Sequence, residues 1–510
     1  MSRAFMRNST FGTLAGLATT LGNFFSGLIV ARVLGVEASG AVAFALWAAL
    51  MTATVLGAGL PFTLSRYLPE LTARGPAGAK DADGLIAFLR RPYLALTLAP
   101  TAALLAYAAW LWRSGIVRVD IAREPFSDPA LVALVAIACA AQAFGEFARG
   151  MMRGLQRFDA IARITLLSTV LQVAVIGIGA AFCGVSGALF GYVIGGAVPA
   201  AFFFARRSAA DTPPIDLRRR VARYAAFRWA SEVANMFIWS RVEIFFLQVF
   251  WGGEAVGLFA IGLTLANLAI QGPLMLTWGL LPHFSQQFGR NALDDMRAGF
   301  ATATRLLAFL VFPACIGLAA IMPEFLPALY GEAFAGAVPS STILVASAGL
   351  AATTTVGSSL VSAMERSDVD FAIGLVGAAL SVLGGLVLVR AFGLMGAASS
   401  RALTQIVVVA LLSHYVLVRR GFPISVRALA LLAMSASACA LAARIVLIAI
   451  PGVKGLAPAI LVAAIVYVAA VRVTGALPRR DIEKLRAATR HLPGSFADVA
   501  DRCLLMIASR

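Results

Sequence analysis

The 510-residue sequence is poor in charge. Asp, Glu, Lys and Arg make up 13% of it, whereas a typical soluble domain has about 25%. Hydrophobic residues account for 60% of the chain, and the mean hydropathy is +0.87. Apolar runs of roughly 20 residues recur throughout, each long enough to cross a hydrocarbon core of about 30 Å. Because a backbone in lipid must satisfy its own hydrogen bonds, the composition excludes an ordinary soluble protein and predicts an all-α polytopic membrane protein.

Cysteine and histidine are also scarce. The five cysteines have no paired spacing and the three histidines are dispersed, so we predict no disulfide framework, metal site or cofactor. No Walker motif for ATP is present. The longest predicted outside loop, 113–128, contains Asp120, Glu124 and Asp128 but no catalytic pattern. The chain is therefore predicted not to be an enzyme, and no catalytic residue is assigned.

The formal net charge of +17 raises the question of nucleic-acid binding, but the basic residues lie in short clusters between the apolar runs. If the N-terminus is cytoplasmic, the segments on the inner side contain 33 of the 42 Lys and Arg. This is the positive-inside bias of membrane proteins. It predicts a multi-pass protein of the inner (plasma) membrane with both termini cytoplasmic, and no nucleic-acid partner.

The apolar runs predict about fourteen transmembrane helices in two lobes of six plus a C-terminal pair. The predicted parts are an N-terminal six-helix lobe (1–205), a basic cytoplasmic linker (206–222), a second six-helix lobe (223–420), an extra helix pair (421–476) and a cytoplasmic amphipathic tail (477–510). The tail is expected to lie on the anionic inner membrane surface.

An internal repeat relates the two predicted lobes. Segment 34–40 (LGVEASG) matches 251–257 (WGGEAVG), 155–159 matches 364–368, and 184–188 matches 393–397. The first pair is 217 residues apart and the other two are each 209 apart. Because six spans per lobe insert in the same sense, the lobes are predicted to be related by an axis along the membrane normal, as in other parallel-repeat transporters.

Short glycine-containing motifs occur in a fixed order between residue 5 and about residue 425. The strongest are at 31–35 with Gly40, at 57–61 with 65–67, at 153–158, at 184–188, at 330–334 and at 393–397. Together they resemble the polysaccharide exporters of the multidrug/oligosaccharidyl-lipid/polysaccharide superfamily, the Wzx-like oligosaccharide flippases. The resemblance implies alternating-access translocation of an undecaprenyl-pyrophosphate-linked oligosaccharide for polysaccharide biosynthesis. Its implied partners are that lipid-linked oligosaccharide, membrane lipids, and the glycosyltransferases and polymerase of the same pathway.

Several charged residues fall inside predicted spans, where each costs at least about 2.5–3.5 kcal/mol on insertion scales and needs a compensating role. We predict that Arg241, Arg401 and Arg32 line a cationic substrate-binding cavity, because Arg grips phosphate oxygens with a planar fork of donors. Glu243 and Glu232 are the candidates for ion coupling or charge balance. Arg241 and Glu243 are two residues apart in span seven, so they point to nearly opposite sides of a helix and are not expected to pair.

A purely structural role is the alternative for these charges. Glu243 could pair with Arg401 to fix helix packing, and Glu232 could pair with Arg228 one turn back. Glu146 has similar spacing to Arg149 at the end of span four.

Three other functions compete with oligosaccharide flipping. The extra helix pair resembles the fourteen-span lipid-II flippases. A multidrug or cation antiporter of the same superfamily would need a more acidic cavity. A membrane glycosyltransferase or polymerase would need an exposed loop with clustered acids or histidines.

Overall fold

The chain folds into helices joined by short connections. A computed structural model describes residues 3–115, 125–205, 213–239, 242–275, 277, 279–478, 480–483 and 486. Within these ranges the regular secondary structure is entirely helical. The predicted all-α class is therefore confirmed.

The α-helices are defined here in chain order. They are α1 (Arg3–Leu56), α2 (Leu60–Thr72), α3 (Pro76–Ser114), α4 (Pro129–Gly154), α5 (Phe158–Ala205), α6 (Ile215–Trp239), α7 (Val242–Trp251), α8 (Gly253–Met275), α9 (Leu280–Gly289), α10 (Leu293–Tyr330), α11 (Val338–Ala352), α12 (Thr354–Ala363), α13 (Ser367–Gly384), α14 (Arg390–His414), α15 (Val426–Ala449) and α16 (Val453–Thr474). Short helical turns lie at Pro125–Ser127, Glu332–Ala337, Gly385–Val389 and Tyr415–Arg419.

Two compact units make up the chain. Unit 1 consists of Met1–Ala260 with Gly385–Gly393, and unit 2 consists of Ile261–Gly384 with Leu394–Arg510. The predicted boundaries of the lobes, linker, extra pair and tail stay predictions.

Ten helices in the described part of the chain are long and apolar enough to cross a membrane. Several are too long for one crossing, since about 20 residues span the hydrocarbon core. Ala15–Leu56 has 42 residues, Phe158–Phe204 has 47 and Asp368–Arg419 has 52. The chain is therefore a multi-pass membrane protein, and the total of fourteen crossings stays a prediction.

Each of these three long helices contains a kink at a glycine with positive φ. The kinks lie at Gly35 (φ 81°, ψ −174°), Gly184 (φ 58°, ψ −135°) and Gly393 (φ 56°, ψ −127°). Glycine adopts this region readily because it has no Cβ. The kinks fall between consecutive predicted spans. Gly35 lies between spans 11–33 and 40–64, Gly184 between 161–183 and 185–205, and Gly393 between 371–391 and 394–418.

The internal repeat extends to the backbone. Gly35 has φ 81° and its counterpart Gly252 has φ 82°; Gly184 has φ 58° and its counterpart Gly393 has φ 56°. Equal φ angles at equivalent positions would be a rare coincidence, because few residues lie in the positive-φ half of the Ramachandran map. Both halves of the sequence therefore specify the same turns between helices.

The third pair of motifs repeats a strained turn. Gln156 follows α4 with φ 56° and Glu365 follows α12 with φ 57°, although neither is the glycine that usually occupies this position. The same hydrogen bond closes both turns, from Arg157 N to Met152 O at 3.0 Å and from Arg366 N to Val361 O at 3.1 Å. All three matched motifs thus share backbone geometry.

Unit 1 has a core of close helix contacts. Small residues let the helices approach, as is usual in membranes: Gly150 of α4 lies against the backbone of Pro61 in α2, and Gly154 lies against Leu64. Tyr93 of α3 is fully buried and donates a hydrogen bond to the carbonyl oxygen of Ala143 at 2.6 Å. These contacts fix α2, α3 and α4 as one bundle.

In unit 2, α15 and α16 pack on α10. The Tyr467 hydroxyl of α16 donates to the carbonyl oxygen of Phe309 at 2.7 Å, and Arg444 of α15 forms an ion pair with Glu324 of α10 at 3.0 Å. Asp481, at the start of the predicted tail, is buried and pairs with Arg305 at 2.7 Å. The first turn of that tail is thus attached to the helices, and most of the remainder lies outside the described residues.

Candidate functional site

The structure places four of the five predicted site residues on helices. Arg32 is exposed on α1, Glu243 is 2% exposed in α7, and Arg401 is half-buried in α14. Glu232 is half-buried in α6. Arg241 lies outside the described residues.

Three of these charges lie at depths that can be estimated from the glycine turns. With a rise of about 1.5 Å per residue, Arg401 lies about 12 Å along α14 from Gly393. Glu243 lies about 13 Å along α7 from Gly252. Arg32 is only three residues, or about 5 Å, from Gly35. In a core of about 30 Å, two charges are therefore deep in their spans and the third is near an end.

Glu232 forms an ion pair with Arg228, one turn earlier in α6. Glu146 pairs with Arg149 at 2.9 Å and also with Arg153 at 3.2 Å. Two of the three pairings that the sequence offers as structural alternatives, Glu232 with Arg228 and Glu146 with Arg149, are therefore present in the fold.

In unit 1, two helical spans come into close contact at their first residues. These residues occupy equivalent positions in the internal repeat. The outer glycine contact, as we name it, consists of Val36 and Gly40 in α1 with Gly253 and Gly257 in α8. A Cβ atom added at Gly40 would overlap the carbonyl oxygen of Gly253, and it would lie 3.0 Å from the Gly257 nitrogen. One added at Gly257 would overlap the carbonyl oxygen of Val36. Only glycine allows the two backbones to come this close.

The outer glycine contact follows the symmetry of the repeat. Val36 and Gly253 are 217 residues apart, as are Gly40 and Gly257. Gly40 therefore lies against the carbonyl oxygen of Gly253, and Gly257 lies against that of Val36. In each half, the residue that supplies the oxygen is one helical turn before that half's own glycine. Given the predicted orientation, this contact lies at the outer end of the spans.

Charged side chains join α2 and α6 at the opposite, predicted inner end of unit 1. In this inner ion cluster, Glu70 of α2 accepts from Arg220 of α6 at 2.8 Å, from Arg74 at 2.9 Å and from Arg66 at 3.3 Å. The hydrogen bond from Arg220, together with the positive charges of the three arginines, holds the pKa of Glu70 below its ordinary value of 4.5 against the opposing effect of desolvation. Glu70 is therefore ionised at neutral pH.

Aromatic contacts surround the inner ion cluster. The rings of Tyr67 and Tyr224 meet edge to face at 5.6 Å, and the Arg220 guanidinium lies 5.1 Å from the Tyr67 ring centre. Arg228 lies 4.2 Å from the Phe62 ring centre. Cation–π contacts of this kind contribute about 0.5–1 kcal/mol at exposed sites.

Metal-binding groups are not found in the part of the chain that the structure describes, where no three His, Cys, Asp or Glu side chains gather. Unit 1 instead consists of kinked helices with the outer glycine contact at one end and the inner ion cluster at the other.

The solved structures that this chain resembles in fold include a flippase and transporters. The chain superposes on the lipid II flippase MurJ in an inward closed conformation with a TM-score of 0.71 and 12% identity, covering 92% of this chain and 98% of that one. A multidrug resistance MATE family transporter in an inward-facing conformation matches with a TM-score of 0.62 and 17% identity, covering 77% and 92%. A transporter from Pyrococcus furiosus, described as having a binding pocket of reversed polarity, matches with a TM-score of 0.55 and 15% identity, covering 82% and 95%. The chain therefore has the fold of the multidrug/oligosaccharidyl-lipid/polysaccharide superfamily.

Sequence comparison adds similarity to polysaccharide biosynthesis proteins. Residues 95–339 match the family described as polysaccharide biosynthesis protein. The teichuronic acid biosynthesis protein TuaB of Bacillus subtilis (strain 168) is 26% identical over 150 residues, which are 29% of this chain and 30% of that protein. The match thus spans about a third of the relative's length. The predicted resemblance to the Wzx-like flippases is confirmed.

Sequence reasoning did not find the two end contacts. The matched segments 34–40 and 251–257 predict a repeat, but a repeat does not by itself indicate that the segments touch. The spacing of Gly253 and Gly257, four residues apart in an apolar helix, is the signal that indicates close helix packing. No pattern in the sequence indicates that Glu70 pairs with Arg220, 150 residues away.

Proposed function

We propose that this protein flips a lipid-linked oligosaccharide, carried on undecaprenyl pyrophosphate, across the inner membrane during polysaccharide biosynthesis. It does so by alternating access: the sugar headgroup enters a polar path from the cytoplasm while the lipid tail stays in the membrane. Both termini are cytoplasmic. The glycosyltransferases and polymerase of the same pathway supply the cargo and consume it.

The observation that carries this proposal is the outer glycine contact. It joins the two repeat halves through equivalent backbone atoms, and the nearest neighbours of a Cβ atom added at Gly40 or Gly257 are all backbone atoms. Contacts between repeat halves at one end of the spans are what a rocking mechanism has to make and break. In this proposal the contact is closed while cargo enters from the cytoplasm, and it separates to release the headgroup outside.

The cargo headgroup carries a diphosphate, so the path needs cations. Arg401, Arg241 and Arg32 fill this role in the proposal. The depth of Arg401, about 12 Å along its helix from the glycine turn, supports this role, because charged side chains deep in a span often line substrate or ion paths. Glu243 couples an ion or balances the arginine charge. Glu232, already paired with Arg228, contributes to charge balance.

A flipping assay tests the proposal. Purified protein in proteoliposomes receives an undecaprenyl-pyrophosphate oligosaccharide in the inner leaflet, and its appearance on the other side is followed over time. We expect wild type to flip the lipid, and Arg401→Ala and Arg241→Ala to lose at least 90% of the rate. Arg223→Ala is the matched control: Arg223 is an exposed arginine of α6, and its loss should leave the rate unchanged.

Other outcomes separate the remaining hypotheses. If both variants fold and flip at the wild-type rate, these arginines serve packing and the proposed binding role is wrong. If the oligosaccharide lipid never moves but lipid II does, the chain is a lipid-II flippase, a function favoured by the coverage of 98% of that flippase's fold. Movement of organic cations alone would indicate an antiporter.

A further inference from the structure

An open groove of about 600 Å³ lies between α3 and α6 in unit 1. Its walls are apolar: α3 contributes Phe88, Pro92 and Leu96, and α6 contributes Ala222 and Trp229, among others. A volume of this size is within the range of ligand sites, about 300–1,000 Å³. An exposed apolar groove on a membrane protein is a surface for hydrocarbon rather than for water.

The groove has the length of one membrane leaflet. Its lining on α6 runs from Ile215 to Trp229, which is 14 residues and therefore about 21 Å of helix. A bilayer that includes its headgroup regions is about 40–45 Å thick, so one leaflet is about 20–22 Å. Ile215 lies within the predicted cytoplasmic linker (206–222) and Trp229 lies beyond it in the predicted second lobe, so the groove extends from the predicted inner surface into the inner leaflet.

Two arginines border the groove at its surface end. Arg218 is half-buried, and its guanidinium lies 5.9 Å from the centre of the Phe88 ring. Its Nε atom is buried without a hydrogen-bond partner. Arg219 is exposed beside it. The groove thus combines an apolar channel with two cations at one end.

Two other arginines of α6 differ from Arg218 and Arg219 because each has a carboxylate partner. Arg220 binds Glu70 at 2.8 Å and Arg228 pairs with Glu232. Among the residues that the structure describes, no carboxylate neutralises Arg218 or Arg219. Their charge is therefore available to an anion at the end of the groove.

We propose that this groove binds an anionic phospholipid of the inner leaflet, with the phosphate at Arg218 and Arg219 and one acyl chain along α3 and α6. The charge pattern fits that occupant, because basic pockets between transmembrane helices on the cytoplasmic side bind anionic headgroups and Arg forms bidentate bonds to phosphate. The proposal goes beyond flipping: the bound lipid is resident and is not the cargo.

Trp229 provides a probe inside the groove. Phospholipids with brominated acyl chains quench tryptophan fluorescence on contact. The fluorescence of Trp229 is obtained as the difference between wild type and Trp229→Phe. We expect brominated phosphatidylglycerol to quench Trp229 at a lower mole fraction than brominated phosphatidylcholine. The double substitution Arg218→Gln and Arg219→Gln should remove this preference. Each lost arginine should lower the apparent affinity for phosphatidylglycerol by about fivefold.

Matched variants separate binding from general charge effects. Arg223→Gln removes an exposed arginine of the same helix that does not line the groove, and it should keep the preference for phosphatidylglycerol. Ala226→Phe places a ring in the groove and should abolish Trp229 quenching by either lipid. Ala230→Phe, on the exposed surface outside the groove, should not.

Two results would overturn the proposal. One is equal quenching of Trp229 by the two brominated phospholipids. The other is displacement of brominated phosphatidylglycerol by undecaprenyl phosphate at an equal mole fraction but not by plain phosphatidylglycerol, which would make the groove a cargo site. Thermal unfolding of each variant in detergent, without added lipid, verifies that it folds. Because quenching needs no transport, this test is independent of the flipping assay.

Discussion

The two ends of unit 1 hold their helices together in different ways. At the predicted outer end, Gly40 and Gly257 bring backbone against backbone. At the predicted inner end, Glu70 connects α2 to α6 through Arg220, and the Tyr67 and Tyr224 rings meet beside it. The outer contact depends on the absence of side chains, whereas the inner contact is made by them.

This difference predicts unequal tolerance to change. A contact between backbones cannot adjust to an added methyl group, because the atom that it meets is a carbonyl oxygen fixed within a helix. A contact made by long side chains has several members and can rearrange, and exposed ion pairs are each worth only about 0.2–1 kcal/mol. The outer end should therefore be sensitive to single substitutions and the inner end should not.

The largest effect is expected for Gly40→Ala and Gly257→Ala. Each added methyl group overlaps a carbonyl oxygen across the outer glycine contact, and overpacking of this kind costs about 1–3 kcal/mol. Since about 1.4 kcal/mol corresponds to a factor of ten, we expect the flipping rate in proteoliposomes to change by about tenfold or more.

Each variant has a control on its own helix. Gly27 in α1 and Gly272 in α8 have nothing within 4 Å of an added Cβ atom, so Gly27→Ala and Gly272→Ala should flip at the wild-type rate. Equal rates for all four variants would show that the outer glycine contact is not part of the transport cycle.

A smaller effect is expected for Glu70→Gln at the inner end. The change removes the negative charge that Arg66, Arg74 and Arg220 share, but the edge-to-face pair of Tyr67 and Tyr224 persists. We expect the flipping rate to change less than threefold, with a loss of stability of about 1 kcal/mol or less. A rate loss as large as that of Gly40→Ala would remove the contrast between the two ends.

The smallest effect is expected for the same variant, Glu70→Gln, and concerns how its Tm depends on pH. The pKa of Glu70 is lowered in the folded protein, so its ionised form stabilises the fold above the ordinary value of 4.5, and this contribution is lost as pH falls through the lowered pKa. The difference in Tm between wild type and Glu70→Gln should therefore be constant from pH 7 to pH 5 and shrink below pH 4.5. A difference that grows on acidification would contradict the lowered pKa.

Much of the fold could be predicted from the sequence because lipid imposes simple rules on composition. Apolar run length predicts the helices. The matched segments 34–40 and 251–257 predict a repeat, and the φ angles of Gly35 and Gly252 in these segments agree to within a degree. Glycines mark many of the positive-φ turns directly, whereas Gln156 and Glu365 adopt positive φ without a glycine.

The site was harder to predict, because helix packing decides which residues meet. Nothing in the sequence indicates that Glu324 in α10 pairs with Arg444, 120 residues away, or that Arg305 binds Asp481. Intrahelical pairs such as Arg228 with Glu232 could be anticipated, since residues one turn apart are always neighbours. Contacts between helices that are distant in the sequence can be identified only once the fold is known.

The central claim is that the outer glycine contact separates during transport, and a distance measurement tests it most directly. Spin labels at Val33 and Phe250, exposed positions near this contact, are introduced after replacement of the native cysteines, and their separation is measured by double electron–electron resonance in nanodiscs. We predict one distance in the resting protein. A second, longer distance should appear with the undecaprenyl-pyrophosphate oligosaccharide or in the Gly40→Ala variant. A single unchanged distance in a protein that flips its cargo would contradict the account.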